Sequence, residues 1–294
     1  MMSWWQGIKS SVKSAEQLKK YTSFKIGGPA EFFVEPKDLG DLKLLLKAAL
    51  RHKIAIYILG AGSNILVADQ GVRGLVLRLS SPAFKKIGSS GETLEAGSGL
   101  RLSGLIQYCL KDGLSGLEFL AGIPGTVGGA LCMNAGCWGK SISAAVETVL
   151  VMDYRAHAKT LLKKEIKFSY RKSSLRNYII LSAKFRLKQA SRSEIEKKIK
   201  LYLRQRRRLQ DNAYPNAGCV FINPRQDSAG RLIDACGLKG KKVGGAIISR
   251  RHANFILNQK RSSADDVLKL MQLARAAVRR KFNINLEPEI KIWQ

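Results

Sequence analysis

Long apolar runs are missing from this 294-residue chain, and the longest, such as residues 54–59, have only the length of a strand. They fall far short of the ~20 residues that cross a bilayer, so no membrane span is expected. Cysteine is scarce. The five cysteines (Cys109, Cys132, Cys137, Cys219, Cys236) are odd in number and form no C-x-x-C pair, which speaks against a disulfide framework and against a zinc site. With only His52, His157 and His252 present, a histidine-built centre is not expected either, and no metal is assigned. Residues 1–20 hold Trp4 and Trp5 but lack the apolar stretch of a secretory signal, so a cytoplasmic address is expected. The charge in short supply is the acidic one: 22 Asp+Glu face 51 Lys+Arg, a net charge of +29. A field of that sign gathers anions, which suits a nucleotide, a nucleic acid or an acidic membrane equally.

What is present is 45 % apolar residues on a length of about two domains at ~150 residues each. Asp38 opens a stretch with Leu39, Leu42, Leu45, Leu46 and Ala49 on one face, which predicts a helix. Strand signals follow at residues 54–59, 65–68 and 75–79. Residues 93–99 read as a strand turning into a helix that carries Leu102, Leu105, Ile106 and Cys109 up to Gly113. Ser193 with Glu196, and Ser263 with Asp266, read as capping boxes opening helices to about residues 209 and 282. The second helix carries Val267, Leu270, Met271, Ala274, Ala277 and Val278 as a stripe, and its Arg279, Arg280 and Lys281 suit the negative end of the helix dipole. Strand signals at residues 219–222, 245–248 and 255–257 precede it. The pattern predicts an α+β protein with a boundary near residue 190.

Two glycine motifs carry the chemistry. Gly60, Ala61, Gly62, Ser63 and Asn64 follow an apolar strand, yet the third glycine of a dinucleotide fingerprint is absent and Gly71 leaves no room for the helix that motif needs. A loop between two strands is the better geometry, and such a loop cradles phosphate through consecutive backbone N–H groups, with Ser63 and Asn64 adding side-chain donors. A tight turn that merely needs small residues is the alternative. The second motif places Gly122, Gly125, Gly128, Gly129 and Gly136 around Ile123, Pro124, Thr126 and Asn134. Backbone without Cβ atoms lets a flat or phosphorylated ligand approach closely, the packing of a turn again being the alternative.

These motifs, with Tyr21-Thr-Ser-Phe-Lys-Ile-Gly-Gly-Pro-Ala30, Phe168-Ser-Tyr-Arg171, Ala217-Gly-Cys-Val-Phe-Ile-Asn-Pro224, Ala229-Gly-Arg-Leu-Ile233, Gly237-Leu-Lys-Gly240, His252-Ala-Asn-Phe-Ile256 and Leu286-Glu-Pro-Glu-Ile290, resemble the UDP-N-acetylenolpyruvoylglucosamine reductase family in order and over most of the chain. Without long insertions in the second half, the chain resembles the shorter class of that family. The resemblance implies an FAD-binding domain of the vanillyl-alcohol-oxidase (PCMH) type in two subdomains, residues 1–80 and 81–190, plus a C-terminal α+β substrate-binding domain at residues 191–294. It implies FAD, held non-covalently because no histidine stands in either glycine motif, with NADPH as hydride donor and UDP-N-acetylglucosamine enolpyruvate as substrate. The product would be UDP-N-acetylmuramate, a precursor of peptidoglycan.

Carried over residue by residue, the resemblance assigns Arg171 and Glu289 to the substrate carboxylate and Cys219 to protonation of the adjacent carbon. Serine is common at that last position, so Cys219 is a departure; a thiol, with a reference pKa of about 8.5, is the stronger acid but must stay neutral beside cations that tend to ionise it. The resemblance extends to Tyr170, Arg204, Arg208 and Asn223 for the nucleotide, with Ile222 where lysine is common. A monomer is the expected state. Two other readings stand beside it: another flavin oxidoreductase of the same fold, and a basic nucleic-acid binder. The second draws on residues 155–210, where 19 Lys+Arg face 3 Asp+Glu, but no recognition module accompanies them and no specific nucleic acid is expected.

Overall fold

The computed structural model describes Trp4, Trp5 and residues 7–294. Met1–Ser3 and Gln6, part of the segment read for a leader, lie outside the described residues. The chain forms two compact units. The first comprises Phe32–Ala61 and Gly74–Gln205 with the described residues up to Ser14, and the second comprises Ala15–Glu31, Gly62–Arg73 and Arg206–Gln294.

In the first unit, helix α1 (Leu39–Arg51) starts where Asp38 accepts the Asp41 N–H, and it buries Leu42, Leu45, Leu46 and Ala49. Leu39, expected on that face, stays partly exposed because it occupies the first turn. Strand Ile56–Ile58 pairs in parallel with Val72–Leu77, Ile56 opposite Leu75, and Leu75 and Leu77 join the α1 residues in one core. The larger layer is a five-stranded antiparallel sheet in the order Ala158–Leu162, Val146–Met152, Ile179–Arg186, Thr93–Gly97, Ile87–Ser90. Helix α2 (Leu102–Lys111) contributes Leu102, Leu105, Ile106 and Cys109 to its core, and the short helix α3 (Val127–Cys132) contributes Val127, Ala130 and Leu131.

Helix α4 (Arg192–Leu209) is capped two residues earlier than expected. Ser191 and Glu194 exchange the capping bonds, the Ser191 N–H donating to Glu194 Oε2 at 3.0 Å and the Glu194 N–H to Ser191 Oγ at 3.3 Å. Two overlapping S-x-x-E patterns stand there, and the earlier one makes the capping bonds.

In the second unit, helix α6 (Ala264–Phe282) packs on a three-stranded antiparallel sheet of Lys242–Val243, Ala246–Ile248 and Ile256–Asn258, and helix α5 (Ala229–Ala235) packs against α6. Ser263 and Asp266 form the capping box that the sequence predicts. The Asp69 carboxylate adds to it by accepting the Ala264 N–H at 2.9 Å, an anion at the positive helix end. The stripe of Val267, Leu270, Met271, Ala274 and Val278 is buried with Phe24, Ile26 and Leu66. Residues 219–222, expected as a strand, make two isolated bridges instead, Cys219 with Phe255 and Phe221 with Pro288. No helix of the described residues is long and apolar enough to cross a membrane.

Candidate active site

In the first unit, the approach to the second glycine motif is fixed by a buried carboxylate. Glu118 accepts the Ser115 hydroxyl at 2.5 Å and the Gly116 N–H at 2.9 Å, with the Lys198 ammonium 3.7 Å away. The motif then runs along the loop after strand Thr93–Gly97: Leu102 N–H donates to Gly125 O, Val127 N–H to Leu100 O and Gly128 N–H to Ser98 O at 2.9–3.0 Å. A Cβ on Gly128 would stand 3.0 Å from Ser98 Cβ, which explains the small residue there. Thr126 caps α3 through its hydroxyl, which accepts the Gly129 N–H at 3.2 Å. A Cβ on Gly60 would stand 2.9 Å from that same Thr126 Oγ1. The structure therefore brings the start of the first glycine motif against the second.

Arg171 sits at the tip of a hairpin whose strands, Phe168–Ser169 and Lys172–Ser173, pair Phe168 with Ser173 and Ser169 with Lys172. Its φ is 58°, a region in which glycine or asparagine is usual at such a turn. The hairpin is fastened to the glycine motif by side chains. Asn134 Nδ2 donates to Ser169 O at 3.0 Å, Ser173 Oγ donates to Leu131 O and Cys132 O at 2.9 Å each, and Arg171 itself donates to Gly136 O at 2.8 Å. Asn134 is buried, and its carbonyl oxygen accepts the Ser143 N–H at 3.3 Å. The guanidinium lies 5.2 Å from the ring of the exposed Tyr170. A cation aimed by a strained turn beside bare glycine backbone is an arrangement suited to a carboxylate.

The second unit holds the other end of the first motif. Gly62 has φ of 66°, and a Cβ there would strike Tyr21 O at 2.1 Å; its carbonyl accepts the Ser23 N–H at 2.9 Å. None of the N–H groups of residues 60–64 donates a hydrogen bond among the described residues. A row of unused N–H groups on glycine-rich backbone fits the pyrophosphate of a dinucleotide, so the residues present fit FAD.

Asn64 Nδ2 donates to Glu289 O at 3.1 Å, and Glu289 N–H donates to Val220 O at 2.8 Å, next to Cys219. Asn64, Cys219 and Glu289, far apart in sequence, thus share one backbone junction. Cys219 is half-buried against Phe255, Ile247 and Leu257. Sequence reasoning missed Asn254, which is 1 % exposed and bonds to Phe221 through both ends of its amide. Its signal is its place in the motif His252-Ala-Asn-Phe-Ile256, where it is a polar residue between Ala253 and Phe255.

The remaining assigned residues lie at the periphery. Asn223 Oδ1 accepts the Ala229 N–H at 3.0 Å at the start of α5. Arg204 and Arg208 are exposed on α4, whose last carbonyls are capped by the Arg251 guanidinium on Arg207 O and Arg208 O. Of the other thiols, Cys109 is pushed up to about 12 by burial, aided by Glu118 and Asp112, and is inert. Cys137 donates to Phe119 O at 3.2 Å. Among the described residues no three His, Cys, Asp or Glu side chains gather as a metal set.

A family model described as FAD binding domain matches residues 30–158, and one described as UDP-N-acetylenolpyruvoylglucosamine reductase, C-terminal domain, matches residues 210–293. A glucose oxidase variant of Phl p 4 shares the fold alone, with a TM-score of 0.50 at 15 % identity over 62 % of this chain and 42 % of that one. The fold and its glycine-lined backbone define a flavin-dependent oxidoreductase, α+β, with an FAD-binding domain of the vanillyl-alcohol-oxidase type. Two named UDP-N-acetylenolpyruvoylglucosamine reductases are similar along nearly their whole length: that of Symbiobacterium thermophilum at 44 % identity over 96 % of this chain and 92 % of the relative, and that of Moorella thermoacetica at 42 % over 98 % and 95 %. The crystal structure of the reductase from Thermus caldophilus superposes with a TM-score of 0.84 at 36 % identity, over 97 % of this chain and 99 % of that one. The chain belongs to the UDP-N-acetylenolpyruvoylglucosamine reductase family.

Proposed function

We propose that the enzyme uses NADPH and non-covalently bound FAD to reduce UDP-N-acetylglucosamine enolpyruvate to UDP-N-acetylmuramate, a cytoplasmic step in peptidoglycan precursor synthesis, and that it works as a monomer. The observation that carries the reading is the junction at which Asn64 of the phosphate turn meets Glu289 beside Cys219. Residues 60–64, with Gly122, Ile123, Pro124, Gly125, Thr126, Gly128, Gly129, Asn134 and Gly136, hold the cofactor. Along the chain, residues 1–80 and 81–190 serve the flavin and residues 191–294 the substrate.

FAD held by these residues would supply the hydride chemistry at the terminal methylene carbon of the enolpyruvyl group. Negative charge then develops on the adjacent carbon and its carboxylate, and the protein must answer it. Arg171 grips that carboxylate as a fixed cation. Glu289 contributes as a hydrogen-bond donor, a role that requires its protonated form. Cys219 delivers its thiol proton to the adjacent carbon, so the thiol has to enter the step neutral. Tyr170, Arg204, Arg208 and Asn223 bind the nucleotide, and the exposed arginines of α4 supply the cation that Ile222 does not.

Purified protein is expected to be yellow, to release its flavin on denaturation and to bleach anaerobically with NADPH. Colourless, folded protein that retards RNA would favour the basic nucleic-acid binder instead.

A further inference from the structure

The segment that carries Cys219 is bent, and one side chain holds the bend. Val220 N–H donates to Asn254 O at 2.9 Å, and Phe221 N–H donates to Asn254 Oδ1 at 2.9 Å. Consecutive N–H groups therefore turn toward the same residue, which a regular strand does not permit. Asn254 Nδ2 closes the loop by donating to Phe221 O at 2.8 Å, so its amide pairs with Phe221 as a neighbouring peptide would. On the other flank, Glu289 N–H donates to Val220 O and Ile222 N–H donates to Glu287 O, both at 2.8 Å. The bend thus sets the bridge of Cys219 to Phe255 and the bond of Val220 to Glu289 one residue apart.

Asn254 is itself held from outside this segment. Its N–H donates to His252 Nδ1 at 3.3 Å, and Ser249 Oγ, which donates to Asp211 at 2.7 Å, accepts the N–H groups of Arg251 and His252 at 3.0 Å. Burial pushes the His252 pKa down, which favours a neutral ring able to accept at Nδ1.

We infer that Asn254 is a positioning residue: through the paired bonds of its amide to Phe221 it fixes the register of Cys219 against Glu289. A side chain must both donate and accept at this length, which asparagine does and aspartate, serine and leucine do not. This inference rests on the proposed roles of Cys219 and Glu289. It concerns the step in which the substrate is protonated and leaves the reaction with NADPH alone.

The test uses FAD-loaded N254S and N254D in anaerobic rapid mixing, with Cys219 alkylation by iodoacetamide mapped by peptide mass spectrometry and referred to Cys236. In N254S, flavin reduction by NADPH is expected to stay within about twofold, reoxidation by the enolpyruvyl nucleotide to slow at least about tenfold, and the Cys219/Cys236 labelling ratio to shift at least about threefold. N254D is expected to lose the same half-reaction at high pH and to recover it on acidification, where a protonated carboxyl again donates to Phe221 O. A merely structural role would slow both half-reactions together, raise labelling of both thiols and show no such recovery, and that result would overturn the inference. So would two folded variants that behave as wild type in every readout. If wild-type enzyme is itself not reoxidised by the nucleotide, the functional reading fails, and the labelling ratio alone then decides whether Asn254 sets Cys219.

Discussion

Arg171 and Cys219, the two residues assigned to the carboxylate and to the proton, are held in opposite ways. Arg171 stands at the tip of a two-stranded hairpin, at φ of 58°, beside the exposed Tyr170, and its setting comes from a few side-chain bonds to the α3 segment. Cys219 lies in a bent segment bridged to Phe255 on one flank, and the buried Phe221 next but one is bridged to Pro288. In the proposed reaction a cation that meets a carboxylate tolerates a tip, whereas a proton donor that meets one carbon needs a frame. The difference implies that activity and stability separate at Arg171 and stay coupled around Cys219.

The largest effect is expected at Cys219. Cys219→Ala removes the proposed proton donor and should slow reoxidation of the flavin by substrate by ~10² or more, while reduction by NADPH is kept; equal loss of both half-reactions would end the proton-donor role. Arg171→Gly comes next. It relieves the positive φ and removes the cation, so kcat/KM for the nucleotide should fall roughly tenfold to a hundredfold with the melting temperature unchanged or slightly raised. A matching loss of stability would show that the hairpin is framework after all.

Ser173→Ala acts on the hairpin alone. Its buried hydroxyl bonds Leu131 O and Cys132 O, and denaturant unfolding should register a loss of about 1 kcal/mol. The smallest effect concerns His252, whose pKa burial lowers from 6.5. The folded state favours the neutral ring, so this contribution is complete above pH 6.5 and lost as pH falls through the lowered value. Stability measured across that range should decline on acidification, and His252→Asn should flatten the decline.

The helices are legible in the sequence because their signals are local: Asp38 and Ser263 cap within one turn, and the apolar stripe of α6 repeats at helical spacing. At α4 even a local signal misleads, since Ser191 and Ser193 both precede a glutamate by three and only the outer pair caps. The refusal of a dinucleotide helix after Gly62 is equally local, resting on Gly71, and the structure places strand Ile65–Val67 there. The site is less legible because its bonds span the chain. Asn64 to Glu289 and Asp69 to Ala264 join residues some two hundred apart, and nothing in either neighbourhood names the partner. The 219–222 segment carries the composition of a strand and bends because a buried asparagine elsewhere takes the place of a backbone neighbour.

The most direct measurement is anaerobic reoxidation of the NADPH-bleached enzyme. Adding UDP-N-acetylglucosamine enolpyruvate should restore the yellow colour stoichiometrically and yield the lactyl ether; flavin that stays bleached until oxygen is admitted would contradict the account and mark a different oxidoreductase on the same fold.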